Sequence, residues 1–278
     1  MSSSPDAFCR HRYYIYCRPL QETHLTVLES IILGVVEGLS EFLPISSTGH
    51  LILASTLMKL TQTDAHKVFE VTIQSGAMLA VVYIYRKQLV TRLDLLKKLC
   101  FAFLPTGVLG FLLYKIVKSL FQPSLVSYTL IAGGVAFIVI ERYIKKRPAT
   151  VSSIDDISYK QAFAIGLIQS LSMIPGVSRS GATIMGGLLT GLNRKDATEF
   201  SFLLALPTMF AATAYDIYKN HALFSLGDWQ NILVGFITSF IFAVIGIKVL
   251  LKFITSHTFI PFGIYRIVAG VFFIIFIT

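Results

Sequence analysis

Ten apolar segments, arranged as two sets of five, constrain this chain more than any other feature of its sequence. They fall at residues 25–42, 51–60, 68–85, 99–120, 125–140, 162–174, 182–192, 200–218, 229–251 and 259–277. Several of them have, or come close to, the roughly 20 residues that a helix needs to cross about 30 Å of hydrocarbon, and the others are shorter or run into a polar loop. Hydrophobic residues make up 54% of the chain and charged residues 14%, which excludes an ordinary soluble domain. The sequence therefore predicts an all-α integral membrane protein.

The second half of the chain repeats the first. In this repeat alignment Ser46 corresponds to Ser178 and Gly49 to Gly181, and the apolar segments coincide in the same register. Each half has an odd number of crossings whether its pair of short segments spans the membrane or enters and returns, so the second half must be inverted relative to the first. We expect an inverted-topology repeat in which each half has one re-entrant helix pair and three transmembrane helices. The predicted parts are a poorly ordered N-terminal tail (1–24), the first repeat (25–147), a cytoplasmic linker (148–159) and the second repeat (160–278).

Basic residues are divided unequally between the two faces of this topology. One face receives Arg86, Lys87, Arg92, Lys97, Lys98, Arg142, Lys145, Lys146, Arg147, Lys160, Arg194, Lys195, Lys248 and Lys252. The other receives Lys59, Lys67, Lys115, Lys118, Lys219 and the three arginines of the tail. The positive-inside rule makes the first face cytoplasmic, so the loop at 46–50 opens to the outer side. The formal charge of +9 is thus explained by the membrane topology, and no nucleic-acid partner is expected.

The stretch at 34–50, which reads GVVEGLSEFLPISSTGH, carries polar residues between apolar flanks. Glu37 and Glu41 are four positions apart, so both carboxylates lie on one helix face. Charged residues inside a membrane are costly and are functional by default. Two carboxylates in a low-dielectric site cannot both stay ionised without a cation, so either a proton is retained or a hard divalent metal such as Mg²⁺ or Ca²⁺ binds. Metal binding and acid/base catalysis are both open for this pair.

His50 closes the same polar stretch, close in sequence to Ser46, Ser47 and Thr48. A histidine oriented by a carboxylate can activate Ser47 as a nucleophile, or its imidazole can itself accept a phosphoryl group. The spacing does not distinguish these two roles.

A second polar stretch at 175–183 reads PGVSRSGAT, and Arg179 is its only charged residue. Arginine offers a planar fork of donors suited to phosphate. Ser178, Ser180 and Thr183 lie where the next helix begins, so its unpaired N–H groups and positive dipole end should face the same anion, as Thr48 and Gly49 would in the first half. Together the two stretches predict a midplane site for an oxyanion, with phosphoryl transfer as its chemistry.

Among the other polar residues of the apolar segments, Glu70 and Gln74 share a helix face and are candidates for the cavity wall. Arg266 lies near a segment end, and we expect it at the membrane interface.

These motifs, from Glu37 and Glu41 through LPISSTGH to PGVSRSGAT, resemble those of the bacterial undecaprenyl-diphosphate phosphatases of the bacitracin-resistance type. The resemblance runs from about residue 25 to the C-terminus. It implies hydrolysis of undecaprenyl diphosphate to the monophosphate carrier of cell-wall synthesis, in the bacterial inner membrane, with a divalent cation and an outward-facing site.

Carried over by position, Glu37 and Glu41 would serve metal binding and acid/base catalysis, Ser47 or His50 would be the nucleophile, and Arg179 would bind the pyrophosphate. The hydroxyl and glycine positions Ser46, Thr48, Gly49, Ser178, Ser180 and Thr183 complete the predicted substrate site. Expected partners are the diphosphate lipid and the bilayer, and a homodimer is left open. The alternative function is a lipid or anion transporter, or a flippase, that uses the same midplane cavity, because inverted repeats with broken helices are common in transporters.

Overall fold

The computed structural model describes residues 25–61, 63–120, 122–147, 149–220 and 229–276, which form ten α-helices and two short 3₁₀ turns. The predicted tail at 1–24 lies outside the described residues. The helices are α1 (Val27–Ser40), α2 (Ser47–Leu57), α3 (Asp64–Thr91), α4 (Leu93–Ser119), α5 (Pro123–Ile144), α6 (Tyr159–Gln169), α7 (Arg179–Leu189), α8 (Arg194–Asn220), α9 (Trp229–Ile254) and α10 (Ile260–Phe276). The 3₁₀ turns are Ile154–Asp156 and Ser170–Met173.

Five of these helices, α3, α4, α5, α8 and α9, are long and apolar enough to cross a membrane. The sixth predicted crossing is α10, which is apolar but has 17 described residues. Helices α1, α2, α6 and α7 have 14, 11, 11 and 11 residues and are too short to span about 30 Å of hydrocarbon. The described residues contain no strand, so the prediction of an all-α, multi-pass membrane protein is confirmed.

The helix starts of the two halves coincide in the repeat alignment. Helix α1 begins after Thr26, which forms a reciprocal capping box with Glu29, and α6 begins after Ser158, which does the same with Gln161. Helices α2 and α7 likewise begin at aligned positions, Ser47 and Arg179. The two halves therefore share local structure at the beginnings of both short helices.

The packing of the short helices joins the two halves. Helix α1 of the first half packs against α9 of the second, α6 packs against α4, and α5 packs against α10. Gly34 permits the first of these contacts, since a Cβ at this position would lie 2.6 Å from the Gly235 carbonyl oxygen. The first short helix of each half is thus held by a long helix of the other half.

The expectation that Arg266 lies at the interface is wrong. Its side chain is fully buried, and its guanidinium lies against Gly133 of α5. Because glycine has no side chain, Gly133 leaves room for the guanidinium inside the protein. The position of Arg266 along the chain does not reveal this contact.

Candidate active site

The first loop, residues 41–46, joins α1 to α2, and the second loop, residues 170–178, joins α6 to α7. Both loops end on a serine with a positive φ: Ser46 and Ser178 each have φ of 74°. This left-handed region is uncommon for residues other than glycine and occurs often at functional sites. The two loops thus enter their second short helices with the same φ at aligned positions.

An ion pair joins the two halves at these loops. Arg179 donates from Nη2 to Oε1 of Glu41 at 2.9 Å, and Ser47 donates from Oγ to Oε2 of the same carboxylate. The side chains of Glu41 and Arg179 are 6% and 12% exposed, so the pair is largely desolvated. One carboxylate therefore holds both the candidate nucleophile and the candidate phosphate-binding cation.

A cavity of about 170 Å³ lies against this ion pair. Its wall includes Glu41, Ser46, Ser47 and Thr48 from the first half and Ser172, Met173, Pro175, Gly176, Ser178 and Arg179 from the second, with Gln74, Thr208, Met209 and Ala212 from α3 and α8. The first residues of α2 and of α7 both lie in this wall. The positive dipole ends of these two helices suit the cavity to an anion.

Arg179 is oriented by further contacts. Its Nη1 donates to the Ser201 carbonyl at 3.2 Å, and its guanidinium lies over the Phe42 ring, 5.5 Å from the centroid. Its Nε is buried and has no hydrogen-bond partner among the described residues. A buried donor without a partner is costly, and a phosphate oxygen would satisfy it.

Glu37 lies one helical turn before Glu41 and is 1% exposed. Neither of its carboxyl oxygens has a hydrogen-bond partner among the described residues. Glu41 and Glu70 are the acidic groups that repel it, and Arg179 is the cation that attracts it. Buried, unpartnered oxygens of this kind suit a hard divalent cation.

Within the described ranges, no three His, Cys, Asp or Glu side chains cluster closely enough to hold a metal ion by themselves. Mg²⁺ commonly takes one or two carboxylates together with substrate phosphates and waters, so metal binding by Glu37 and Glu41 stays a prediction; Glu41 is in the cavity wall and Glu37 is not.

His50 lies in α2 with both ring nitrogens engaged. Its Nδ1 is 2.8 Å from the Ser46 carbonyl oxygen, and its Nε2 is 2.6 Å from the Tyr265 hydroxyl, with the Tyr265 ring stacked on the imidazole. His50 is not part of the cavity wall, and its described contacts include no hydrogen bond to Ser47 or Glu41. Its assignment as a catalytic residue stays a prediction.

Three other predicted substrate residues contact protein groups rather than the cavity. Ser180 donates to the Leu43 carbonyl of the first loop at 2.9 Å, and Thr183 donates to the Arg179 carbonyl at 2.8 Å. Gly49 packs beside Val126, where an added Cβ would lie 3.4 Å from the valine side chain.

A buried polar cluster surrounds Gln169, a residue that is not part of the predicted site. The Gln169 amide donates to Thr106 at 3.1 Å and to Thr208 at 3.0 Å, and Thr208 is part of the cavity wall. The repeat offered one signal, because Gln169 aligns with Glu37. Of the two residues predicted for the cavity wall, Gln74 lies in it and Glu70 does not.

Comparison with known proteins gives the family of the chain. The model of the bacitracin resistance protein BacA family matches residues 30–272. A protein of Persephonella marina named undecaprenyl-diphosphatase is 60% identical over 251 residues, covering 90% of this chain and 99% of that protein. Proteins of the same name from a Sulfurihydrogenibium species and from Wolinella succinogenes are 58% and 55% identical over 247 and 253 residues, covering 89% and 91% of this chain and 98% and 99% of theirs.

Proposed function

The chain belongs to the bacitracin resistance protein BacA family, and we propose that it catalyses the reaction for which its relatives are named, the hydrolysis of undecaprenyl diphosphate to undecaprenyl phosphate and inorganic phosphate. This reaction recycles the lipid carrier for cell-wall synthesis and accounts for bacitracin resistance. The relatives are named as hydrolases, which favours hydrolysis over the transporter alternative.

One observation carries the proposal at the level of residues: Glu41 contacts Ser47 with one oxygen and Arg179 with the other. Phosphoryl transfer needs a positioned nucleophile, a proton acceptor and a cation for the phosphoryl oxygens, and little other chemistry from the protein. These three groups meet beside a cavity that both helix N-termini enter.

In the proposed complex the diphosphate lies in this cavity, with its terminal phosphate near Arg179. The unpartnered Nε of Arg179 and the first N–H groups of α2 and α7 supply donors for the phosphate oxygens. Because these groups are fixed by the fold before the substrate arrives, they stabilise the charge of the transition state without reorganising.

Ser47 is the nucleophile in our proposal. Its Oγ forms a bond to the terminal phosphorus, the bond from this phosphorus to the bridging oxygen breaks, undecaprenyl phosphate leaves, and Glu41 accepts the hydroxyl proton. Water then attacks the phosphoserine, Glu41 returns the proton to the Ser47 oxygen, and inorganic phosphate leaves with both protons of the water. His50, the other predicted nucleophile, has both ring nitrogens occupied by Ser46 and Tyr265.

Glu37 and Glu41 would hold Mg²⁺ or Ca²⁺, and the unpartnered oxygens of Glu37 support this assignment. A bound cation would neutralise part of the negative charge of the diphosphate.

The membrane architecture of our proposal is the inverted repeat, with α1–α2 and α6–α7 as re-entrant pairs in the bacterial inner membrane and the site open to the outer face. The matched helix starts, the equal φ of Ser46 and Ser178, and the packing of short helices against the other half support it. Irregular backbone at membrane depth is tolerated where it lines a protein cavity, as both loops do. The expected lipid partner is undecaprenyl diphosphate, and the homodimer stays a prediction.

The test is phosphate release from undecaprenyl diphosphate by purified protein in detergent. We expect Ser47→Ala to lower kcat by at least about 100-fold, because the attacking oxygen is removed. Thr56→Ala is the matched control: it removes an exposed hydroxyl of the same helix that donates only to the Ile52 carbonyl.

Rapid quenching of wild-type protein with substrate labelled in the terminal phosphate should trap the label on Ser47. Label on His50, or full activity in Ser47→Ala, would contradict the proposed nucleophile.

Chelation of divalent cations should abolish turnover, and Mg²⁺ or Ca²⁺ should restore it. If activity survives chelation, Glu37 and Glu41 do not hold a required cation.

A further inference from the structure

Arg266 of α10 is a fully buried cation that the proposed reaction does not use. Within the described part of the chain it forms no ion pair with a carboxylate. It donates instead to four backbone carbonyls: Pro44 at 3.2 Å, Gly176 at 3.0 Å, Thr129 at 3.3 Å and Leu130 at 3.4 Å. A charged side chain inside a membrane protein without an opposite charge is expensive and marks a functional residue by default.

Two of these carbonyls belong to the two loops at aligned positions. Pro44 lies midway between Glu41 and Ser47, and Gly176 lies three positions before Arg179. The planar guanidinium donates to Pro44 from Nη1 and to Gly176 from Nη2, so it fixes the distance between these two backbone points.

The surroundings of Arg266 are built to admit the guanidinium. A Cβ added at Gly133 would collide with the Nη2 group, and one at Gly134 would lie 3.2 Å from the Arg266 Cβ. At Gly181, in the first turn of α7, an added Cβ would lie 3.2 Å from Nη1. Glycines of α5 and α7 thus leave the space that the side chain fills, and the Phe137 ring lies 6.0 Å away.

We propose that Arg266 is a positioning residue that holds the two loops at the separation at which Glu41, Ser47 and Arg179 meet. The inference rests on the proposed function, since it assigns Arg266 to the geometry of that site. Arg266 acts through Pro44 and Gly176 and does not touch the substrate. A displacement of about 1 Å of a reacting group can cost on the order of 100-fold in rate, so a change in loop spacing should reduce kcat strongly.

The experiment compares Arg266→Lys and Arg266→Met with wild-type protein in detergent, with kcat and KM for phosphate release measured beside the thermal unfolding temperature. We expect kcat to fall on the order of 100-fold in both variants, with KM changed less than about threefold. Lysine should not restore kcat, because a single ammonium group cannot reproduce the fork that reaches both loops.

A milder variant covers the case in which these two proteins do not fold. Gly133→Ala keeps every charged group and crowds only the guanidinium, and we expect kcat to fall on the order of 10-fold with KM unchanged. Gly110→Ala is the matched control, since its added Cβ would meet only the Met173 sulfur at 3.7 Å, and it should behave as wild type.

A wild-type kcat in the folded Arg266 variants, or in Gly133→Ala, overturns the inference whatever happens to the unfolding temperature. A lower unfolding temperature with kcat unchanged assigns Arg266 to packing alone, which also overturns it. If wild-type protein and Gly110→Ala release no phosphate, it is the proposed function that fails.

Discussion

The two loops end on serines with the same φ but carry side chains of opposite charge. In the repeat alignment, Glu37 corresponds to Gln169, Glu41 to Met173, and Ser47 to Arg179. The first half therefore carries both acids and the candidate nucleophile, and the second half carries the cation. The difference teaches that two aligned loops can supply the unlike groups that a diphosphate site needs when they lie side by side.

The loops also differ in the hydrogen bonds that their last serines make to the helix that follows. The Ser178 side chain caps α7 by accepting from the Gly181 N–H at 3.1 Å, whereas Ser46 makes no side-chain cap bond to α2. Nearly all of α7 is buried, whereas α2 is only partly buried. The two loops therefore differ at this serine: the Ser178 hydroxyl caps its helix, and the Ser46 hydroxyl does not.

The largest effect on activity should come from removing either charged group of the Glu41–Arg179 ion pair. We expect Glu41→Gln and Arg179→Met each to lower kcat/KM for phosphate release on the order of 1,000-fold, because each removes a group that acts on the transition state. The double variant should be little worse than either single one, since the two side chains act as one unit.

Arg86→Met is the control for that cycle, because Arg86 is exposed and donates to the Tyr83 carbonyl of its own helix. Losses that simply multiply in the double variant would show that the two halves contribute independently.

Smaller effects should follow from exchanging glutamate and glutamine at the aligned positions 37 and 169. One substitution should change stability and the other should change kcat. Gln169→Glu should lower the free energy of unfolding by about 2–3 kcal/mol, because it loses the amide donations to Thr106 and Thr208 and adds a buried charge. Glu37→Gln should leave stability equal or higher, since the carboxyl oxygens it replaces have no partners among the described residues, but it should lower kcat on the order of 100-fold.

Denaturant unfolding in detergent and phosphate release measure the two quantities for each variant. If Glu37→Gln and Gln169→Glu lowered the free energy of unfolding equally, the two aligned positions would be energetically alike. That result would contradict the difference between the two halves.

The smallest expected effect is a difference in the free energy of unfolding between alanine variants of Ser178 and Ser46. Ser178→Ala should lower the free energy of unfolding by about 1 kcal/mol through loss of the helix cap. Ser46→Ala should change it by less than about 0.5 kcal/mol, because no cap bond is lost. The same unfolding measurement on both variants provides an internal control, and a larger loss at Ser46 would reverse the comparison.

Much of the fold could be predicted from the sequence because membrane helices are encoded locally. The ten apolar segments correspond to the ten described helices, although α2 begins at Ser47 and α7 at Arg179, several positions before their apolar segments. The polar residues at these helix starts carry no hydropathy signal. The aligned motifs also predicted that residues of both halves would lie together, and Glu41 of the first half contacts Arg179 of the second.

The sequence by itself determined the membrane class, the repeat and the residue types available for chemistry, since hydropathy and spacing are properties of neighbouring residues. Only the tertiary structure decided which groups meet: Arg179 pairs with Glu41 across 138 residues, and His50 contacts Tyr265 across 215. It also placed Arg266 in the interior, between carbonyls of both loops. The physical reason is that such contacts depend on which helix faces pack together, and the chemistry of a single segment does not specify the face that its partner will present.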